Sequence, residues 1–181
     1  MSSRSKLCVI AASVALLAVA PLSAAPKKVS TKLVPFKGKW TGLVDVTTST
    51  ETVTNPDMTT TTTTTTEVAV DGGGNATHLG KFTMDGVATS TSTDPTVGSV
   101  ETGDVVFTAA NGDQVFATIE GDSITNSKGL VDSQFDGTIT GGTGRFATST
   151  GYFSFRMISD PDTGRATATF TGKISGPGKG N

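Results

Sequence analysis

Ala166-Thr167-Ala168-Thr169-Phe170-Thr171-Gly172-Lys173-Ile174 decides how the rest of the chain reads. Its even positions are apolar or small and its odd positions polar. A period of two marks a strand with one dry face and one wet face. Antiparallel sheets keep such faces, whereas parallel sheets bury both. The alternation recurs upstream. From Val131 to Ile139 the odd positions are the inward ones. Val115, Ala117 and Ile119 oppose Phe116, Thr118 and Glu120. Trp40, Gly42, Val44 and Val46 alternate with Thr41, Leu43, Asp45 and Thr47.

Turn residues separate these runs. Asp71-Gly72-Gly73-Gly74-Asn75, Asn111-Gly112-Asp113, Gly141-Gly142-Thr143-Gly144 and Asp160-Pro161-Asp162-Thr163-Gly164 read as hairpin connections. No window after the N-terminal segment carries an apolar i, i+3, i+4, i+7 stripe. Glycine also recurs too often for stable helices, at about 1 kcal/mol each relative to alanine. Eight strands are predicted, near 39–48, 59–70, 76–88, 98–109, 114–123, 130–140, 145–158 and 165–175. The fold class expected is all-β, an eight-stranded antiparallel β-barrel, with a β-sandwich as the alternative. A barrel of that size is filled by side chains or holds one small ligand. Thr59 to Thr66 is an unbroken threonine run. It continues through Glu67-Val68-Ala69-Val70 and reads as a strand with weakly specified register, suited to a barrel rim, with a disordered or glycosylated tract as the alternative.

The N-terminus has a different character. Arg4 and Lys6 precede an apolar run from Leu7 to Ala20, and Ser23, Ala24 and Ala25 follow. A basic start, a short apolar stretch and small residues make a secretory signal, and the run is too short to span a bilayer. The organisation predicted is a signal peptide over 1–25, a linker over 26–37, a β-barrel domain over 38–176 and a tail over 177–181. The address predicted is secreted or periplasmic, with no membrane span once the signal is removed. Cys8 is the one cysteine and falls inside the signal, so the exported chain has no disulfide or thiolate chemistry. Removing Arg4 and Lys6 from the 14 basic residues leaves 12 against 16 acidic ones, a net charge of −4. Scattered charge of that sign makes a poor nucleic-acid binder, so no nucleic-acid partner is expected.

Ile139-Thr140-Gly141-Gly142-Thr143-Gly144-Arg145-Phe146, followed by Gly151-Tyr152, resembles the plant dirigent and allene oxide cyclase families. Ala76 to Thr83 and Thr108 to Asp113 resemble stretches of uncharacterised bacterial secreted barrels. The resemblance implies an eight-stranded barrel with an apolar interior and a secretory or organellar address. Two departures keep the families' catalytic assignments from carrying over. Thr150 stands where dirigent proteins have an arginine before the Gly-Tyr pair. The cysteine that allene oxide cyclases place in their pocket has no counterpart after the signal.

Chemistry motifs are sparse. His78 is the one histidine, and no Gly-x-Ser-x-Gly elbow accompanies it. One histidine without thiols does not make a zinc site, so no metal site is predicted. Gly142-Thr143-Gly144-Arg145-Phe146-Ala147 fits a dinucleotide-binding pattern on paper. That motif needs a following helix, and strand residues follow here, so no cofactor is expected. Asp71, Asp160 and Asp162 sit among turn residues and lack a calcium-loop pattern. Asn75-Ala76-Thr77 is a formal glycosylation sequon. Glu101, Asp104, Glu120 and Asp122 read as solvated charges at strand ends. No catalytic residue is assigned. His78 is expected in the third strand on one face with Gly80 and Phe82, as a structural histidine hydrogen-bonded near a strand end; the alternative is a polar group inside the barrel mouth, and if it is buried its neighbours are Phe82 and Met84. If the interior binds a ligand, the lining expected is Trp40, His78, Phe82, Tyr152 and Phe153, and the partner is a small apolar molecule. A ligand-binding barrel ranks first, a structural or surface-associated protein without ligand second, and a dirigent- or cyclase-like enzyme on a reactive apolar intermediate third.

Overall fold

The computed structural model describes residues 32–93 and 100–176. Eight strands form: β1 Leu33–Thr54, β2 Thr60–Ala76, β3 Gly80–Ser92, β4 Glu101–Ala109, β5 Gln114–Thr125, β6 Val131–Gly142, β7 Gly151–Ser159 and β8 Arg165–Ser175. Each pairs antiparallel with the next, and β8 returns to pair with β1, so the sheet closes into a barrel. Closure sets aside the sandwich and, where all eight strands run side by side, removes the open edges that a flat sheet leaves. The signal segment and the tail lie outside the described residues.

Register follows the alternation. On β1, β2, β3 and β8 the even positions face inward; on β4 to β7 the odd ones do. One end of the barrel carries the β2–β3 and β4–β5 turns and the segment before β7. It is packed with rings. Phe36, Phe82, Phe107, Phe153 and Phe170 lie with centroids 5.0–6.0 Å apart, tilted or edge-on. These are the arrangements that the ring quadrupole favours. Each buried phenylalanine contributes about 1.5–3 kcal/mol by burial alone. The rings fit because small residues face them: a Cβ on Gly137 would strike the ring of Phe153. Phe146, fully buried on a single 3-10 turn at Gly144–Phe146, and Leu79 plug this end.

Several expectations are corrected. Asp71 to Asn75 do not turn the chain; they lie inside β2 and pair with Leu43 to Lys39 of β1. Their glycines answer a packing demand. The Trp40 indole lies over Gly42 and Gly72, and a Cβ on Gly72 would sit 2.8 Å from Trp40 Cε2. The turn comes later, at Thr77 to Leu79, where His78 has φ +66° and is exposed. His78 is therefore in a turn, not in the third strand, and is not buried among Phe82 and Met84. The seventh strand starts at Gly151, since Gly144–Phe146 turn inward as the plug. Residues 33–37, expected in the linker, open β1 and pair with β8. Pro35 is tolerated there because the β1–β2 ladder begins only at Gly38, so its missing N–H breaks no bond.

The threonine run does form a strand, and it overhangs the barrel. β8 accompanies β1 only as far as Leu43↔Arg165, and β3 accompanies β2 only as far as Thr64↔Ser92. The β1–β2 ladder continues to Thr54↔Thr60 and turns over Asn55 to Thr59.

Candidate functional site

The barrel's second end, beside the β1–β2, β5–β6 and β7–β8 turns, is built differently. Above the ring cluster the inward positions become smaller and more flexible: Val70, Met84, Ala88, Val105, Ile119 and Met157, with Phe135 and Phe155 on β6 and β7. They enclose an apolar space of about 20 Å³. A single water requires roughly 10–15 Å³ on that measure and two to four polar partners, which this lining does not offer. Methionine is the adaptable element here, since its unbranched chain fills irregular gaps and moves aside at low cost.

Higher still, the inner face turns polar. Ser133 is buried, and Ser123 Oγ and Ser133 Oγ lie 2.8 Å apart across the β5–β6 pair. Glu101 joins them from β4, whose register sets it beside Gly121. It is the one carboxylate on the inner face among the described residues. Burial pushes its carboxyl above the usual range; a hydrogen bond from Ser123 opposes that, and the charge of Asp122 adds to it. Glu101 is thus half-buried at the rim and is not the fully solvated strand-end charge expected. The outward Asp132 is held low by the hydrogen bonds and charge of Arg156, whose Nη2 lies 2.6 Å from it.

Trp40 adds a buried polar group on β1. Its side chain is 1% exposed, yet its Nε1–H has no acceptor among the described residues. A buried donor left unmade costs about 1–3 kcal/mol. Its indole leans from β1 toward the second end, over Gly42 and Gly72.

The five expected lining residues divide. Trp40, Phe82 and Phe153 face inward and are buried. Phe82 belongs to the packed ring cluster, and Phe153 spans from that cluster to the apolar space. Tyr152 is 53% exposed on the outer face, one position out of register with Phe153. His78 stands at the opposite end of the barrel, where its carbonyl accepts from Arg145 Nη2 at 2.8 Å. Met84, Met157, Glu101, Ser123 and Ser133 were not anticipated as a group. The signal was present: Ser123 and Ser133 share the parity of Ile119 and Phe135, so an inward reading of those strands already carried them inside. Among the described residues no three His, Cys, Asp or Glu side chains come together in a way that could hold a metal ion.

No family model matches the chain, and no curated protein matches it at a significant level. Among solved structures, a pterocarpan synthase dirigent protein is similar to it, 16% identical with a TM-score of 0.40, over 83% of this chain and 88% of that one.

Proposed function

We propose that this chain is an exported binding barrel that takes a small apolar molecule bearing a hydrogen-bond acceptor at the second, Met-lined end. The observation that carries the reading is Trp40, a buried indole donor without an acceptor on the inner wall of a barrel whose nearby lining is apolar. A ligand carbonyl or ether oxygen would satisfy that donor, and its apolar body would displace Met84 and Met157. Ligand pockets typically measure 300–1,000 Å³, so occupancy requires those side chains to swing out. Export rests on the sequence of residues 1–25.

Trp40 is the only tryptophan, so its emission reports on this site alone. Titration with prodan, a polarity-sensitive naphthalene ketone, is expected to quench Trp40 saturably with one-to-one stoichiometry. Ala88→Leu, which fills the space from β3, is expected to weaken that binding about tenfold or more, or roughly 1.4 kcal/mol. No saturable response, or an equal response in Ala88→Leu, overturns the proposal. The second reading, a structural barrel without ligand, is favoured by the smallness of the space, and it requires Trp40 emission to ignore the probe. An enzyme on this scaffold ranks third, with Glu101 as its one inner-face carboxylate among the described residues.

A further inference from the structure

The overhang of β1 has an open edge. Backbone groups alternate sides along a strand. Lys37 O accepts from Thr77 N, so the odd residues of β1 face β2. Val44 N donates to Gly164 O, so the even residues face β8. Beyond Leu43 β8 has ended, and Val46, Thr48, Thr50, Thr52 and Thr54 direct N–H and C=O to a side where no described backbone group pairs with them. Native sheets blunt such edges with lysine, proline, bulges or a covering segment. From Asp45 to Thr54 the strand has no lysine, arginine or proline, and its ladder with β2 runs without a bulge. Val46 and Val53 are 56% and 50% exposed.

We propose that this edge is a self-association surface on which β1 pairs antiparallel with β1 of a second copy about a two-fold axis. The occupant is argued from the edge's own complementarity. Because only even residues offer groups outward, even must pair with even, which limits the registers. Centring on Thr50 sets Thr48 against Thr52 of the second copy, Val46 against its Thr54 and Glu51 against its Ser49. No carboxylate faces another. Centring on Glu51 would oppose two carboxylates directly, which is destabilising. The favoured register yields a four-stranded β2–β1–β1–β2 ribbon. One of its faces is almost wholly threonine, since Thr48↔Thr66, Thr50↔Thr64, Thr52↔Thr62 and Thr54↔Thr60 already pair within each copy. The two-fold closes on itself, so the assembly stops at two.

Two edges of this length bury less than a standard interface, so the dimer is weak, with Kd between about 10 µM and about 1 mM. Sedimentation velocity of the purified protein across that range is expected to show the mass rising from one copy to two. Thr50→Pro removes an outward N–H and spares the β1–β2 ladder, which uses odd residues; it is expected to hold the protein monomeric with an unchanged circular dichroism spectrum. Thr50→Val keeps the N–H and the dimer. Should Thr50→Pro unfold, Thr50→Lys sets two lysines face to face and must also abolish pairing. A monomer throughout in the unmodified protein, a dimer that survives either disruptive change, or open-ended growth past two copies each overturns the proposal.

Discussion

Phe107→Ala tests whether the ring cluster is the energetic centre of this fold. Phe107 is fully buried and lies 5.3–5.8 Å from the centroids of Phe36, Phe82, Phe153 and Phe170. Truncating a buried phenylalanine costs about 3–5 kcal/mol from lost transfer energy and the cavity left behind. Ring pairs are worth about 0.5–1.5 kcal/mol beyond their area, and four are lost at once, so the upper end, about 5 kcal/mol, is expected. Domains are stable by only about 5–15 kcal/mol, so the variant is close to unfolding at ambient temperature. Equilibrium urea unfolding followed by Trp40 emission and by far-ultraviolet circular dichroism supplies the measurement. The midpoint should fall with an unchanged slope, as expected when the surface exposed on unfolding is the same. Tyr152→Ala removes a ring of similar size from the outer face and is expected to cost about 1 kcal/mol or less, in keeping with exposed substitutions. A loss under about 1.5 kcal/mol for Phe107→Ala, well below the usual range for a buried ring, or parity between the two variants, would refute the reasoning.

Two further changes probe the second end. Glu101 has a folded-state carboxyl pushed above its ordinary 4.5, so its charge opposes folding at neutral pH, and that penalty vanishes as pH falls below 4.5, where both states are protonated. Glu101→Gln should therefore raise the melting temperature at pH 7 and lose its advantage below pH 4.5; a gap that persists or reverses in acid would count against the burial argument. Gly72→Ala drives a methyl against Trp40 and the β1 backbone, so a loss of about 1–3 kcal/mol and a shifted Trp40 emission are expected. Gly73→Ala meets only Phe82 O at 3.0 Å and should disturb both less, and equal effects would mean that the indole does not rest where it is described.

Alternation made the strands legible. β8 was expected over 165–175 and is found as Arg165–Ser175, and the other seven overlap their expected spans. Glycine was the ambiguous letter. Asp71 to Asn75 has turn composition, and what keeps it extended is an indole delivered by β1, a non-local demand that local sequence does not carry. His78 was placed inside by parity with Phe82, but parity holds only while the strand lasts. The chain turns at Thr77 to Leu79, and His78 adopts φ +66° there. Phe146, inside the span 145–158 expected for the seventh strand, sits instead on the 3-10 turn, which carries its ring inward as a plug. The rim was the least visible part. Ser123 and Ser133 look like surface residues by composition, although their parity with Ile119 and Phe135 carries them inward, and Glu101 is brought beside them by the register of β4 with β5.

The seam between β1 and β8 has a consequence for when the protein can exist. Its eleven register pairs join Leu33–Leu43 to Arg165–Ser175, segments separated by nearly the whole domain. A ribosome adds about 5–20 residues per second, so β1 waits on the order of ten seconds for its partner to be made. Through that interval the outer edges are β1 and whichever strand was last completed, and the ring cluster lacks Phe170. The nascent sheet is an open strip with a greasy side, the form that pairs with the wrong chain most readily. The last strand synthesised acts as a clasp, and proteostasis of this barrel turns on how well the strip is shielded until the clasp arrives.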